Sequence, residues 1–177
     1  ALCPSLNAFE TPFLFSDYET ARATMDSDAG KALLDSLEQY GLKGLGYYEN
    51  GFRNLTCNKE INSLEDLKGL KIRVMTNEPL RAMFTNAGAV VTNVSFSELY
   101  QALQLGTCEA EENPFANIRD KKFYEVQSYM CVTMHSHTAE PLVMSKELFD
   151  GLSAEDQAMF QEAGLEASKW AYQHAKD

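Results

Sequence analysis

The feature that most constrains this 177-residue chain is a regular alternation of strand-like and helix-like segments in its middle. The segments "LKIRVM" (Leu70–Met75) and "AVVTNV" (89–94) are rich in aliphatic and β-branched residues, as buried strands are. A helix signal follows each of them: Thr76 or Asn77 as a cap with Pro79 after the first, and "FSELYQALQLG" (96–106) after the second. Strand, helix, strand and helix joined by short connections predict parallel βαβ units, and therefore an α/β fold.

Further cap signals mark the ends of elements in this region. Ser63 with Asp66, and Ser95 with Glu98, have the spacing of a capping box, in which two side chains bond reciprocally to the backbone at a helix start. Gly106 suits the position after a helix, where a left-handed conformation is common.

The regions on either side are predicted to add helices and strands. Residues 17–40 read as a helix that Gly41 closes, with Gly30 as a possible interruption. "LKGLGYY" (42–48) reads as a strand ending at a turn, and "FRNLTCN" (52–58) as a second extended run.

Two more strands and a long helix are predicted in the C-terminal part. "YMCVTMHSH" and "EPLVMS" read as the strands, and Ser153 with Asp156 caps a helix that is still running at Asp177. The apolar seam predicted for that helix consists of Met159, Phe160, Ala163, Ala167, Trp170 and Ala171.

Composition excludes several classes of partner. The formal net charge of −11 disfavours nucleic acid and anionic membrane surfaces, and an anionic small ligand would need a locally positive pocket. No apolar run approaches the roughly 18 residues of a membrane span, so direct membrane insertion is not expected. The four cysteines lack C-x-x-C spacing, which favours unpaired thiols, with one disulfide as the alternative.

An acidic cluster in "CEAEENP" is the first candidate for chemistry. In a strand, Glu109, Glu111 and Asn113 would share one face and Glu112 would take the other. Hydrogen-bonded structural acids, ligand contacts and an acid/base pair all remain open for them. The sequence contains no P-loop, G-x-S-x-G or dinucleotide fingerprint, and no metal-ligand spacing, so neither cofactor nor metal is expected.

Two arginines and two histidines are the other candidates. Arg53 in "GFRNL" and Arg73 in "LKIRVM" lie among apolar neighbours on predicted strands. Such a guanidinium needs a partner, which is either an internal carboxylate or a carboxylate ligand held bidentately. His135 and His137 make only a weak metal signal, and satisfied polar residues at a strand end are favoured instead.

Several motifs in one order carry a resemblance to a known family. They are "PFLF" (12–15), "DLKGLKIRV" (66–74), "FSELYQALQLG" (96–106), "ENP" (112–114) and "KFYEVQSY" (122–129). Together they resemble the DctP-type solute-binding proteins of TRAP (tripartite ATP-independent periplasmic) transporters over nearly the whole chain.

The resemblance implies an α/β fold of the periplasmic-binding-protein type (type II), with two lobes of interrupted connectivity. Residues 51–138 would form a ligand-binding lobe, and residues 1–50 and 139–177 would be parts of a second lobe that is incomplete in this chain. Family members carry additional segments at both ends, so the chain resembles a fragment of such a protein. Candidate hinges between the lobes are residues 51–58 and 135–140.

The resemblance also implies the ligand-binding residues. Arg73, in "LKIRV", would grip a ligand carboxylate, and Arg53 would be the second arginine of the site. Phe96 would supply an apolar wall and Asn113 a polar contact. Where the family has a glutamine, this chain has Glu111, and Glu140 near the second crossing raises the same question. Both are candidate ligand contacts that would favour hydroxyls or an amine.

The function that the resemblance implies is periplasmic (extracytoplasmic) capture of a small organic acid and its delivery to TRAP membrane permease subunits. Such a protein would be a monomer and not an enzyme. Two alternatives remain: a hydrolase or lyase that uses Glu111 and Glu112, and a ligand sensor of the same fold.

Overall fold

The structure is a computed structural model that describes residues 3–174. Its α-helices are α1 (Tyr18–Asp26), α2 (Asp28–Asp35), α3 (Glu78–Asn86), α4 (Leu99–Gln104), α5 (Phe115–Asp120), α6 (Lys146–Asp150) and α7 (Ala154–His174). Its strands are β1 (Leu42–Cys57), β2 (Lys71–Arg73), β3 (Val90–Thr92), β4 (Ala110–Pro114) and β5 (Tyr129–Ser145). Short 3-10 helices cover Pro4–Ala8, Ser36–Tyr40, Leu64–Leu67, Phe96–Glu98 and Phe123–Glu125. Among residues 3–174, no helix is long and apolar enough to span a bilayer.

The strands form one mixed sheet in the order β3-β2-β4-β1-β5. Strand β2 pairs in parallel with both β3 and β4, whereas β4 pairs antiparallel with β1. Parallel neighbours require a crossover, and α3 and α4 supply it. The predicted α/β fold with parallel βαβ units is therefore confirmed.

The chain divides into two compact units, each with its own internal contacts. The first contains Phe15–Gly51, the segment up to Phe9 and the segment from Thr138 onward. The second contains Phe52–His137 and the short segment Glu10–Leu14. Strands β1 and β5 contribute residues to both units. The assignment of residues 51–138 as the ligand-binding lobe, and the hinges, stay predictions.

The second unit buries apolar side chains in two clusters. One consists of Leu55, Cys57, Leu70, Ile72, Val74, Leu80, Phe84, Ala89 and Ala110, and the other of Leu99, Ala102, Leu103, Cys108, Ile118 and Phe123. Successive strand residues project to opposite faces, so a strand with both faces covered can hold polar side chains only where they find partners. Every residue of β4 is buried, including its three polar ones. The four cysteines are free thiols.

Most of the predicted caps are present. Asn77 Oδ1 accepts a hydrogen bond from the backbone N–H of Leu80 at 3.0 Å, and Ser63 with Asp66 forms a capping box. Gly106 follows α4 with a left-handed φ of 69°. The capping box at Ser95 was predicted wrongly, because its hydroxyl donates to the Glu98 carboxylate at 2.6 Å instead of bonding to the backbone.

Three predicted boundaries were wrong. The helix over residues 17–40 breaks at Ser27, which caps α2 by accepting from the N–H of Gly30, so the break precedes that glycine. The predicted turn near residue 48 is absent, because β1 continues through Gly51. Strand β5 likewise continues through Pro141, since β5 is at the edge of the sheet, where a missing N–H is tolerated.

The predicted apolar seam of α7 was wrong except for Ala171, which is buried. Met159 and Trp170 are each 58% exposed, and the buried residues of the helix are Gly164, Ser168, Ala171 and Tyr172. Small residues face β1 because the two backbones approach closely there. Ser168 Oγ accepts from the N–H of Tyr47 at 3.0 Å and donates to the carbonyl of Gly164 at 2.9 Å. The predicted continuation of the helix at Asp177 lies outside the described residues.

This close approach predicts the effect of one substitution. A Cβ at Gly164 would lie 2.6 Å from the carbonyl oxygen of Leu45, so Gly164→Ala should lower the free energy of unfolding by about 1–2 kcal/mol despite the better helix propensity of alanine. Gly151→Ala is the matched control, because its Cβ would meet nothing closer than 3.5 Å. Urea denaturation of both variants checks the prediction, which fails if the two lose equal stability.

Candidate ligand-binding site

The candidate residues of the second unit lie on three adjacent strands. Arg73 of β2 and Thr56 of β1 are both in register with Glu111 of β4. Because paired residues project to the same face, these three form a row, and Asn113 shares that face two residues along β4. Glu112 projects to the opposite face. The acidic cluster of the sequence is therefore split between the two faces of the sheet, as the strand period predicts.

Arg53 and Glu112 form a buried ion pair. Arg53 Nε donates to Glu112 Oε2 at 2.5 Å and its terminal nitrogen donates to Glu112 Oε1 at 3.0 Å, a bidentate geometry. The same nitrogen reaches the Glu112 backbone carbonyl at 2.6 Å. Arg53 is 3% exposed. This is the internal salt bridge that the sequence left open as one alternative for this arginine.

Glu112 is ionised by its surroundings. Burial alone would raise its pKa, but Arg53 and the hydrogen bond with His135 outweigh that effect and lower the pKa to about 2. His135 Nε2 lies 3.2 Å from Glu112 Oε2, and the backbone N–H of Met75 donates to Oε1 at 3.3 Å. Such a fully engaged carboxylate is a structural anion and the counter-ion of Arg53.

Arg73 differs from Arg53 in having no carboxylate partner. It is 7% exposed, its Nε donates to the backbone carbonyl of Val94 at 3.1 Å, and its guanidinium lies over the Phe96 ring, 5.7 Å from the centroid. Within residues 3–174 it forms no ion pair. Burial lowers the pKa of Arg73, with Arg53 adding to that and Glu112 and Glu111 opposing it. An arginine nonetheless stays protonated near neutral pH.

Phe96 lies beside two cations. Besides Arg73, the ammonium of Lys121 is 5.4 Å from its ring centroid, and Phe123 packs edge-on against it with centroids 6.1 Å apart. The 3-10 helix Phe96–Glu98 positions this ring at the start of α4. An aromatic wall held in this way can cover the apolar part of a ligand whose charge is on Arg73.

Asn113 is buried and joins the two faces of the sheet. Its Oδ1 accepts from the Arg53 terminal nitrogen at 3.2 Å and from Asn117 Nδ2 at 3.3 Å, while its Nδ2 donates to Glu111 Oε2 at 2.5 Å. These partners define which way the amide points, since a cation faces the oxygen and a carboxylate faces the nitrogen.

Glu111 is a fully buried carboxyl without an ion-pair partner among the described residues. Thr56 Oγ1 donates to its Oε1 at 2.6 Å, and Asn113 donates to Oε2. Burial raises the pKa of Glu111 to about 7, and the hydrogen bonds from Thr56 and Asn113 only partly oppose that effect. Its proton therefore comes on and off in the physiological range.

Glu111 gives a pH-dependent stability prediction. Below about pH 4.5 the Glu111 carboxyl is protonated in both the folded and the unfolded chain. As pH rises it ionises first in the unfolded chain, so the free energy of unfolding falls by up to about 3 kcal/mol by pH 8. Glu111→Gln should therefore raise the free energy of unfolding at pH 8 and change it little at pH 5. Urea denaturation at both pH values checks this, with the exposed Glu109→Gln as control. An equal effect at both pH values would contradict it.

Glu140, the remaining candidate, belongs to the first unit. It is exposed and accepts a hydrogen bond from Asn50 Nδ2 at 3.3 Å. The structure thus brings Arg53, Arg73, Phe96, Glu111 and Asn113 together in the second unit, whereas Glu140 is part of the first.

Metal binding has no support among the described residues, where no group of three His, Cys, Asp or Glu side chains could hold an ion. His135 is satisfied by Glu112 and by Thr133 Oγ1 at 2.7 Å, but it lies inside β5 and not at a strand end. His137 packs edge-on against the Phe52 ring, with centroids 5.0 Å apart.

Sequence reasoning missed four contributors to this cluster: Glu10, Thr56, Lys121 and the contact of His135 with Glu112. Glu10 accepts from Asn77 Nδ2 at 2.6 Å, and its backbone carbonyl accepts from Ser136. Only Lys121 had a signal, since it stands next to the "KFYEV" motif. The others are brought in by strand register and by the docking of residues 10–14, which local patterns do not encode.

Comparison with known proteins shows which family the chain matches. The bacterial extracellular solute-binding protein family 7, DctP, matches residues 1–177. The C4-dicarboxylate-binding periplasmic protein DctP of Rhodobacter capsulatus is 35% identical over 169 residues, which are 96% of this chain and 51% of that protein. The 2,3-diketo-L-gulonate-binding periplasmic protein YiaO of Escherichia coli is 39% identical over 171 residues, 96% of this chain and 52% of that protein.

The fold has close counterparts among solved structures. A TRAP periplasmic solute-binding protein from Polaromonas, bound to D-erythronate, superposes with a TM-score of 0.95 at 36% identity and covers 99% of this chain and 58% of its own. The chain thus spans about half the length of the curated relatives it matches. With a family match over its whole length and the same α/β, periplasmic-binding-protein-like fold, the chain belongs to the DctP family of bacterial extracellular solute-binding proteins.

Proposed function

We propose that this chain forms the carboxylate-binding part of an extracytoplasmic solute-binding protein that captures a small organic acid. The observation that carries the proposal is Arg73, a nearly buried guanidinium that meets no carboxylate among residues 3–174. A buried cation without a counter-ion is costly, and a ligand carboxylate would offset that cost through a bidentate pair. Arg73 would also supply the locally positive pocket that an anionic ligand needs in a chain with a net charge of −11.

The other candidate residues take supporting roles in this proposal. Phe96 covers the apolar part of the ligand. Arg53, the second arginine, is paired with Glu112 and supports the site by holding the Asn113 amide oxygen. Asn113 is the proposed polar contact for ligand hydroxyls, and Glu111 accepts a hydrogen bond from its amide. Glu140 stays a candidate contact that only the family resemblance implies.

The class of ligand that we propose is taken from the names and bound molecules of the relatives. Their names and bound molecules are C4-dicarboxylate, 2,3-diketo-L-gulonate and D-erythronate, all of them organic acids. For the whole protein we propose a periplasmic location, a monomeric state and delivery of the acid to TRAP membrane permease subunits. The ligand class is a carboxylate or sugar acid.

The proposed activity is binding without turnover. Glu112 is held by Arg53 and His135, and both oxygens of Glu111 already accept hydrogen bonds. A general base needs an oxygen within reach of the substrate proton, so the existing partners of both carboxylates support binding without turnover. Permease genes beside the encoding gene would support transport over sensing.

The experiment is titration calorimetry and thermal shift on the full-length protein with a panel of organic acids. Succinate, D-galacturonate and D-erythronate are the first probes, each paired with its neutral amide or alcohol analogue. We expect a saturable signal with at least one acid and none with its analogue, and recovery of the acid unchanged after long incubation. Equal binding of acid and neutral analogue would overturn the carboxylate clamp, and a converted ligand would overturn binding without turnover.

A further inference from the structure

Glu111 has hydrogen-bond partners that suit both of its protonation states. When it is ionised, Thr56 Oγ1 donates to Oε1 at 2.6 Å and Asn113 Nδ2 donates to Oε2. Thr56 Oγ1 also lies 3.5 Å from Gln127 Oε1, a second acceptor. A hydroxyl can rotate between acceptors. When Oε1 carries the proton, it can donate to Thr56 Oγ1 while the threonine hydroxyl turns to Gln127, so the proton is accommodated without moving any heavy atom.

The contact with Asn113 is the same in both states. Oε2 accepts from Asn113 Nδ2 whether or not Oε1 is protonated, so the amide oxygen stays directed at Arg53 and Asn117. What changes with the proton is the charge of the cluster alone.

The charges around Glu111 make that change matter for an anion. Arg73 lies opposite it on β2, Arg53 comes from β1, and Glu112 is its neighbour on β4. His135 of β5 faces Glu112, and Cys108 lies just before β4. With Glu112 neutralising Arg53, an ionised Glu111 offsets the charge of Arg73, whereas a protonated Glu111 leaves a net positive cluster.

We propose that Glu111 is a positioning residue that holds the Asn113 amide and couples organic-acid binding to the uptake of one proton. This inference rests on the proposed function, because it requires the anion to bind at Arg73. An anion on Arg73 favours the neutral form of Glu111, and by linkage the protonated form binds the anion more tightly.

The test uses D-erythronate, or whichever hydroxy acid of the panel binds most tightly, because its carboxyl stays ionised from pH 6 to 8. Titration calorimetry at pH 7.5 in buffers of different ionisation enthalpy counts the protons taken up on binding. We expect uptake of a substantial fraction of one proton. If only the protonated form binds, affinity falls up to about tenfold between pH 6 and pH 8.

Two variants separate this role from a merely structural one. Glu111→Gln mimics the neutral state, since its amide can donate to Thr56 and accept from Asn113. It should bind with no proton uptake and no pH dependence, and more tightly than the wild type at pH 8. Glu109→Gln removes one exposed negative charge just before β4 and should retain both the uptake and the pH dependence.

The outcomes distinguish this inference from the proposed function. If no acid binds, both fail. If an acid binds but the wild type takes up no proton, or if Glu111→Gln takes up as many protons as the wild type, the coupling to Glu111 is wrong while the carboxylate clamp stands. Persistent uptake in Glu111→Gln would assign the proton to another group.

Discussion

Replacing Arg73 with alanine is expected to weaken organic-acid binding by at least about 30-fold while leaving the unliganded protein folded. Removing one member of a buried, hydrogen-bonded charge pair costs roughly 2–5 kcal/mol, which is about 30-fold to several thousand-fold in Kd. Without ligand, Arg73 has no carboxylate partner within residues 3–174, so its loss removes no internal ion pair. The free energy of unfolding should therefore stay within about 1 kcal/mol of the wild type.

Calorimetry and thermal shift on the full-length protein measure both quantities. Arg73→Lys keeps the charge but loses the planar fork, so it should bind with intermediate affinity. Arg119→Ala removes the same charge at an exposed position and serves as the control. Unchanged affinity in Arg73→Ala would refute the clamp, and global unfolding would show that the arginine is structural.

Replacing Glu112 with alanine is expected to destabilise the protein by about 3–5 kcal/mol, because it leaves the buried Arg53 without its counter-ion. The double variant Arg53→Met with Glu112→Leu removes both charges and should recover most of that stability, since a well-packed apolar pair often replaces a buried ion pair at little cost. Urea denaturation at pH 7 compares the variants. A Glu112→Ala protein as stable as the wild type would contradict the buried ion pair.

The low pKa of Glu112 also predicts how the free energy of unfolding depends on pH. Its pKa is lowered from 4.5 to about 2, so its stabilising contribution is complete above about pH 4.5 and is lost as pH falls through 2. The contribution is on the order of 3 kcal/mol. The acid-induced loss of stability should therefore be smaller in the double variant than in the wild type, and denaturation at pH 7 and pH 3 measures it.

Local patterns predicted the elements that local physics controls. The cap at Asn77 and the left-handed Gly106 follow from hydrogen bonds and backbone sterics within a few residues. The parallel pairing of β2 follows from the alternation of strand and helix patterns along the chain. Where the predictions failed, contacts between residues far apart in the sequence determined the structure. Strand β5 passes through Pro141 because of its place in the sheet, and α7 presents small residues to β1 because the backbones approach closely.

The sequence by itself determined the α/β order, the family and the candidates for the site, because motif order and residue type are properties of the chain alone. It could not tell the two arginines apart. Both lie on strands among apolar residues. Only the folded protein places Glu112 in contact with Arg53, and leaves Arg73, which is opposite Glu111, without an ion pair among residues 3–174. Likewise, only burial beside Thr56 and Asn113 makes Glu111 a group that titrates near neutral pH. Charge pairing depends on distances across the sheet, and those distances exist only in the folded protein.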